Sequence, residues 1–110
     1  MTTVHYDPQQ FKMEITGHAG AGKHGEDLVC AAMSTLTCTL MNAAKSREEF
    51  HADVYIADED AAVMVQCKPD NEELCLEMFR TVLHGFYILK LKAPGHVRIV
   101  IEDPEEKRGD

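Results

Sequence analysis

Long apolar runs are missing from this 110-residue chain. No stretch approaches the roughly 18 consecutive apolar residues that a membrane-spanning helix requires, and the opening MTTVHYDPQQ lacks the basic-then-apolar pattern of a secretory signal. A soluble, cytoplasmic protein is expected. No C-x-x-C pair occurs among the four cysteines. Cys30 and Cys38 share one helical pattern, where eight residues at about 1.5 Å rise hold them roughly 12 Å apart, too far for a disulfide. Reduced thiols follow. Basic residues are few, 11 against 19 acidic, for a formal charge of −8. Binders of nucleic acid or anionic membranes present clustered Lys and Arg, so neither partner is expected. The acidity suits plain solubility, or the attraction of a basic protein or peptide. Internal repeats and linkers are missing too. The length fits one core of about 100–150 residues, so a single domain is expected over 1–103, with an acidic, disordered tail over 104–110.

What is present is a succession of short, regular patterns. Thr2 to Tyr6 and Phe11 to Thr16 alternate in polarity, with Phe11, Met13 and Ile15 on one side and Lys12, Glu14 and Thr16 on the other. The DPQQ between them has turn chemistry. Two antiparallel strands with one buried face are predicted. Leu28, Val29, Ala32, Met33, Leu36, Leu40 and Ala43 recur at helical spacing and predict a helix over about 26–45. ADVYIADEDAAVMVQCK holds two more strand patterns, 53–57 and 61–67, around a DED turn. Asp70 or Asn71 signals a helix start, followed by Glu72 and Glu73 where the helix dipole favours acids. The stripe Leu74, Met78, Val82, Phe86 and Leu89 then runs until Pro94-Gly95 stops it, and His96 to Ile101 supplies a last strand. The order ββαββαβ predicts an α+β fold: a mainly antiparallel sheet with two helices packed on one face.

The stretch GHAGAGKHGEDLVCAA, Gly17 to Ala32, carries the chemistry. Its glycines match one phosphate-binding pattern and nearly match a second, but His24 stands where a P-loop needs a Ser or Thr to hold magnesium. The preceding FKMEIT alternates like a strand with one wet face, unlike the buried parallel strand before a P-loop. No acid closes a second parallel strand some 20 residues on, as a dinucleotide fold would require. Nucleotide is therefore set aside. A zinc site on His18, His24 and Cys30 is set aside as well, because the spacing matches no common ligand pattern. No cofactor and no metal are expected. What remains is a glycine-rich connection free to adopt positive φ and to approach a peptide closely.

His18 follows the second strand and Cys30 lies near the start of the long helix, so a strand, loop and helix that pack together would bring the two side by side. A thiol near a helix N-terminus meets free N–H groups and the positive dipole end, which favour the thiolate. An imidazole neighbour serves as base or as ion-pair partner and later protonates a leaving amine. The free N–H groups offer oxyanion donors. Two readings stay open on the residues alone: a Cys–His catalytic pair, or a small core cysteine and a surface histidine. Asp27, one turn before Cys30, either orients His18 and substrate or simply suits a helix start; Ser34, one turn after, either hydrogen-bonds in the site or permits close packing. Cys38, Cys67 and Cys75 read as packing residues, and His5, His51, His84 and His96 as incidental.

Laid out in this way, Gly17-His18-Ala19-Gly20, then Gly25, Asp27-Leu28-Val29-Cys30-Ala31-Ala32, then Ser34, the stretch resembles the motif of the ribosomal-processing cysteine protease family, Prp. The element order and chain length fit that family from end to end. Lys23-His24 and Glu26 depart from its usual residues. The resemblance implies a cytoplasmic, homodimeric cysteine endopeptidase that removes the N-terminal extension of a large-subunit ribosomal protein. It implies Cys30 as nucleophile with His18 as its partner. Gly20, Gly22 and Gly25 would be hinges of a loop that closes over the substrate, and Asp27 and Ser34 would line the site. The rival expectation is a non-catalytic peptide-binding or ribosome-assembly module of the same fold, with Cys30 structural.

Overall fold

The computed structural model describes residues 1–17, 24–57 and 61–102, the first four residues of the first helix through their backbone alone. Its elements follow the order ββαββαβ: β1 (Thr2–Asp7), β2 (Lys12–Gly17), α1 (His24–Lys45), β3 (Asp53–Ala57), β4 (Ala62–Gln66), α2 (Glu72–Lys92) and β5 (Val97–Ile101). One sheet holds all five strands in the order β3-β4-β2-β1-β5. Three of its pairings are antiparallel and one, β1 with β5, is parallel. The expected α+β architecture is the observed one.

Local chemistry accounts for the connections. The Asp7 carboxylate accepts from the backbone N–H of Gln9 at 3.1 Å and of Gln10 at 3.4 Å, which closes the turn between β1 and β2. Phe11 takes a positive φ of 51° to leave that turn, so β2 starts one residue later than its polarity pattern suggests. At α2, Asn71 is the cap: its side chain accepts from Leu74 N–H at 3.1 Å. Between α1 and β3 a short 3-10 turn, Glu48–Phe50, buries the Phe50 ring completely enough to leave 1% exposed.

Register carries the alternation into three dimensions. Val4 stands opposite Ile15, Tyr6 opposite Met13, and Met13 opposite Val65, so these side chains share one face while Thr3, His5, Lys12, Glu14 and Thr16 share the other. The apolar face meets Met33, Leu40 and Ala44 of α1 and Cys75, Phe79, Val82 and Phe86 of α2 in one core. The helices run antiparallel: the end of α1 and the start of α2 meet around Phe50, whose carbonyl accepts from Lys68 N–H at 3.0 Å. They pass closely at Gly85, where an added Cβ would lie 2.4 Å from a Leu36 methyl. Tyr6 packs on Phe79 with ring centroids 5.5 Å apart. Its hydroxyl is buried with no hydrogen-bond partner among the described residues.

Candidate active site

Gly17, the first residue of the motif, ends β2 in the left-handed region with φ of +90°. A Cβ there would stand 2.5 Å from the carbonyl oxygen of Met1, so both the torsion and the space demand glycine. The residue is fixed in place by pairing with Thr2 and by donating its N–H to the Ala61 carbonyl at 3.0 Å. The chain therefore enters the motif from a rigid point, at the same end of the sheet as the start of α1.

α1 begins at His24, two residues before the sequence patterns place it, and Gly25 lies inside its first turn. One glycine costs a helix only about 1 kcal/mol, which packing of the remaining turns offsets. The earlier start makes Cys30 the seventh residue of α1, in the second turn rather than the first. The N–H groups left without helical partners belong to residues 24–27, so Cys30 sits about one turn beyond them, where the dipole's influence has faded. The helix end alone is thus a weaker source of thiolate and oxyanion stabilisation than the sequence suggests.

Beside α1 a groove of about 330 Å³ opens along the sheet. Cys30, Met33, Ser34, Thr37, Cys38 and Met41 form its helical wall. Thr2, Ile15, Gly17, Ile56, Ala61 and Val63 form the other side. Cys30 is half-buried and Ser34 exposed. No charged residue lines the groove among those described, so an uncharged segment of extended chain can lie in it without desolvating an ion. Gly17 and Cys30 thus face one cavity. The remaining expectations, His18, Gly20 and Gly22, lie outside the described residues, as does the side chain of Asp27.

The four cysteines, none of them in a disulfide, separate into two groups. Cys67 and Cys75 are core residues, 2% and 0% exposed. Burial pushes both thiols up, Cys75 to about 12, with Cys67 beside it adding to the shift. They are packing groups, as expected. Cys38 is not: it is exposed and lines the groove two turns along from Cys30. The signal was available, since positions 30, 34, 38 and 41 share one helical face, but an apolar-looking helix hides which of its faces is left uncovered. Met33, Met41, Ile56 and Val63 belong to the groove for the same reason. His5 and His51 hold surface carboxylates, Glu102 at 2.7 Å and Asp70 at 3.1 Å, away from the groove.

A family model of cysteine protease Prp matches residues 1–98. The chain belongs to the Prp family of cysteine proteases. Among solved structures, it superposes on the essential ribosomal processing protease Prp of Staphylococcus aureus in complex with a substrate peptide, with a TM-score of 0.78 at 19% identity, over 93% of this chain and 100% of that one. The same protease with a covalently linked product peptide gives 0.77 at 21%, over the same shares. SMU.848 from Streptococcus mutans gives 0.69 at 29%, over 92% of this chain and 93% of that one. No curated protein matches the chain. Family and fold are those implied by the motif around Cys30. Among the described residues, no helix is long and apolar enough to cross a membrane.

Proposed function

We propose that this chain is a cysteine endopeptidase that removes the N-terminal extension of a large-subunit ribosomal protein, acting in the cytoplasm as a homodimer. One observation carries the reading: Cys30 opens onto an uncharged groove that it shares with Gly17, and His18 is the next residue of the chain. In this reading the Cys30 sulfur, as thiolate, attacks the scissile carbonyl carbon. The C–N bond breaks as the His18 imidazolium gives its proton to the leaving amine. Water then attacks the thioester, releasing the carboxylate product and returning the thiol. With Cys30 a full turn from the free helical N–H groups, His18 is the principal group that would hold the sulfur as thiolate. Ser34 lines the groove one turn further on, which supports a hydrogen bond from its hydroxyl to the substrate backbone. Gly20 and Gly22, with Gly25 at the start of α1, give the connection freedom to close over the peptide, and Asp27 orients His18 or a substrate N–H.

Ribosomal proteins are basic, so the charge of −8 draws the substrate in. The test is a synthetic peptide spanning the N-terminus of the host's ribosomal protein, followed by mass spectrometry. Cleavage at one bond that disappears in Cys30→Ala and in His18→Ala, with thermal stability retained, supports the reading. Cleavage that survives Cys30→Ala refutes it. The steering component predicts that kcat/KM falls as salt rises.

A further inference from the structure

Thr2 is an odd residue for its place in the sheet. β1 is an interior strand, and Thr2 stands on its helix-covered side with Val4 and Tyr6, only 3% exposed. A valine has nearly the same shape and buries no polar atom. Three polar residues are buried among those described: Thr2, Asp7 and Thr37. The Asp7 carboxylate accepts two turn N–H groups, and the Thr37 hydroxyl donates to the Met33 carbonyl at 2.8 Å. The Thr2 hydroxyl has no hydrogen-bond partner among the described residues. Nor is it sealed in. The Tyr6 hydroxyl on the same strand is closed off entirely, whereas Thr2 lines the groove that holds Cys30. Folded proteins satisfy nearly all their buried polar groups, so an unpaired hydroxyl facing a cavity points to a ligand that pairs with it.

We propose that Thr2 is a specificity-determining residue: its hydroxyl pairs with an uncharged hydrogen-bonding side chain, a carboxamide or a hydroxyl, on a substrate residue close to the scissile bond. The inference rests on the proteolytic reading and deepens it. Thr2 is rigidly presented. Gly17 of β2 and Val97 of β5 flank its backbone, and its N–H donates to the His96 carbonyl at 2.9 Å. Its β-branched side chain adds little freedom of its own. Gly17, its direct partner across the β1–β2 pair, is followed in the chain by His18 and faces the same cavity as Cys30. Thr2 therefore belongs to the reacting end of the groove.

Depth separates what main chain and side chain can reach. Ser34 is exposed on the helical wall, whereas Thr2 is buried on the sheet side. An extended substrate between the two walls meets Ser34 with its backbone and reaches Thr2 only with a side chain turned inward, as every second residue is. Ile15, Met33 and Val63 line the same groove and accommodate an apolar stem. At the tip the chemical classes separate. A charged group loses its hydration and finds no counter-charge among the described lining residues. An apolar tip buries the Thr2 hydroxyl without a partner. A carboxamide or hydroxyl satisfies it, its oxygen accepting the Thr2 proton or its N–H or O–H donating to the Thr2 oxygen.

The test is a set of peptides based on the N-terminus of the host's ribosomal protein, in which each residue near the cut is replaced by matched pairs of similar shape, Thr against Val and Gln against Met. kcat/KM is measured for the wild type, Thr2→Val and Thr2→Ser. At one position the wild type should prefer the polar member of a pair by about tenfold. Thr2→Val should reduce that preference to about twofold or less, and Thr2→Ser, which keeps the hydroxyl, should retain it. A wild type that cleaves the peptides with no such preference at any position overturns the role of Thr2 without any variant being needed. A preference that Thr2→Val leaves undiminished overturns it as well. In both cases the proteolytic reading stands, whereas a wild type that cleaves no peptide overturns that reading and this one together.

Discussion

Replacing Gly17 by alanine perturbs the rigid point from which the motif departs, and its cost can be worked from the coordinates. A left-handed backbone costs an L-residue about 1–2 kcal/mol. The new Cβ would also stand 2.5 Å from the Met1 carbonyl oxygen and 3.7 Å from the Thr2 Cα. Met1 is 60% exposed and can yield, whereas Thr2 is 3% exposed and held by the His96 carbonyl at 2.9 Å. Relief of the clash therefore falls on Met1 and costs about 1 kcal/mol, the low end of overpacking. The sum is about 2–3 kcal/mol. At roughly 2.1 cal/mol/K of unfolding entropy per residue, that lowers the Tm of a chain this size by about 9–13 °C. Differential scanning calorimetry of Gly17→Ala measures it directly. Gly17→Asn tolerates the torsion better but keeps the clash, so it should recover only part of the loss. An alanine variant within about 2 °C of wild type would show that neither the torsion nor the contact is a real constraint.

Four further outcomes are expected. In the folded protein iodoacetamide should modify Cys30 and Cys38 and spare Cys67 and Cys75 until unfolding. Because burial raises the Cys75 thiol from its ordinary 9.0 to about 12, the unfolded state binds fewer protons between those values. Its contribution to stability is therefore intact below pH 9.0 and lost as pH climbs toward about 12, which denaturant titrations across that range would reveal as a falling midpoint. Tyr6→Phe removes a buried hydroxyl without a partner among the described residues, so stability should be unchanged or higher by about 1 kcal/mol; a loss of 1 kcal/mol or more in chemical denaturation would contradict the orphan assignment. Cys38→Trp should leave Tm in place, since the site is exposed, yet fill the groove and raise the KM for peptide cleavage by about tenfold. An unaltered KM would mean that substrate does not run along this part of α1.

Much of this molecule could be read before its coordinates, and the parts that could not share a cause. The alternation through Met13 and Ile15, the Asn71 cap and the stop at Pro94-Gly95 are local signals, and each names its element. Strand order is not local: nothing in VRIVI says that β5 joins β1 in parallel rather than an edge such as β3. Phe50 enters the core on a turn too short to have a period. The start of α1 moved because Gly25 resembles a breaker in isolation, while the packed helix outweighs its cost. In the site, Cys30 and Ser34 were identifiable from the motif, and both line the groove. Cys38 was misread as core because helical spacing reveals faces but not which face the sheet leaves bare. Gly17 stood in the motif without an assigned task, and its necessity came from the Met1 carbonyl, a neighbour that only the β1–β2 register supplies.

The place of β1 in the sheet has a consequence for synthesis. It is made before the other four described strands, yet one of its two neighbours is β5, the last of the five, with Thr2 aligned to Val97. A half-made chain therefore carries β1, an interior strand of its future sheet, as a bare edge, and closing a loop of that length comes late. Folding completes only after release of the final strand, and until then the nascent chain depends on chaperones, or on speed, to keep β1 from the wrong partner.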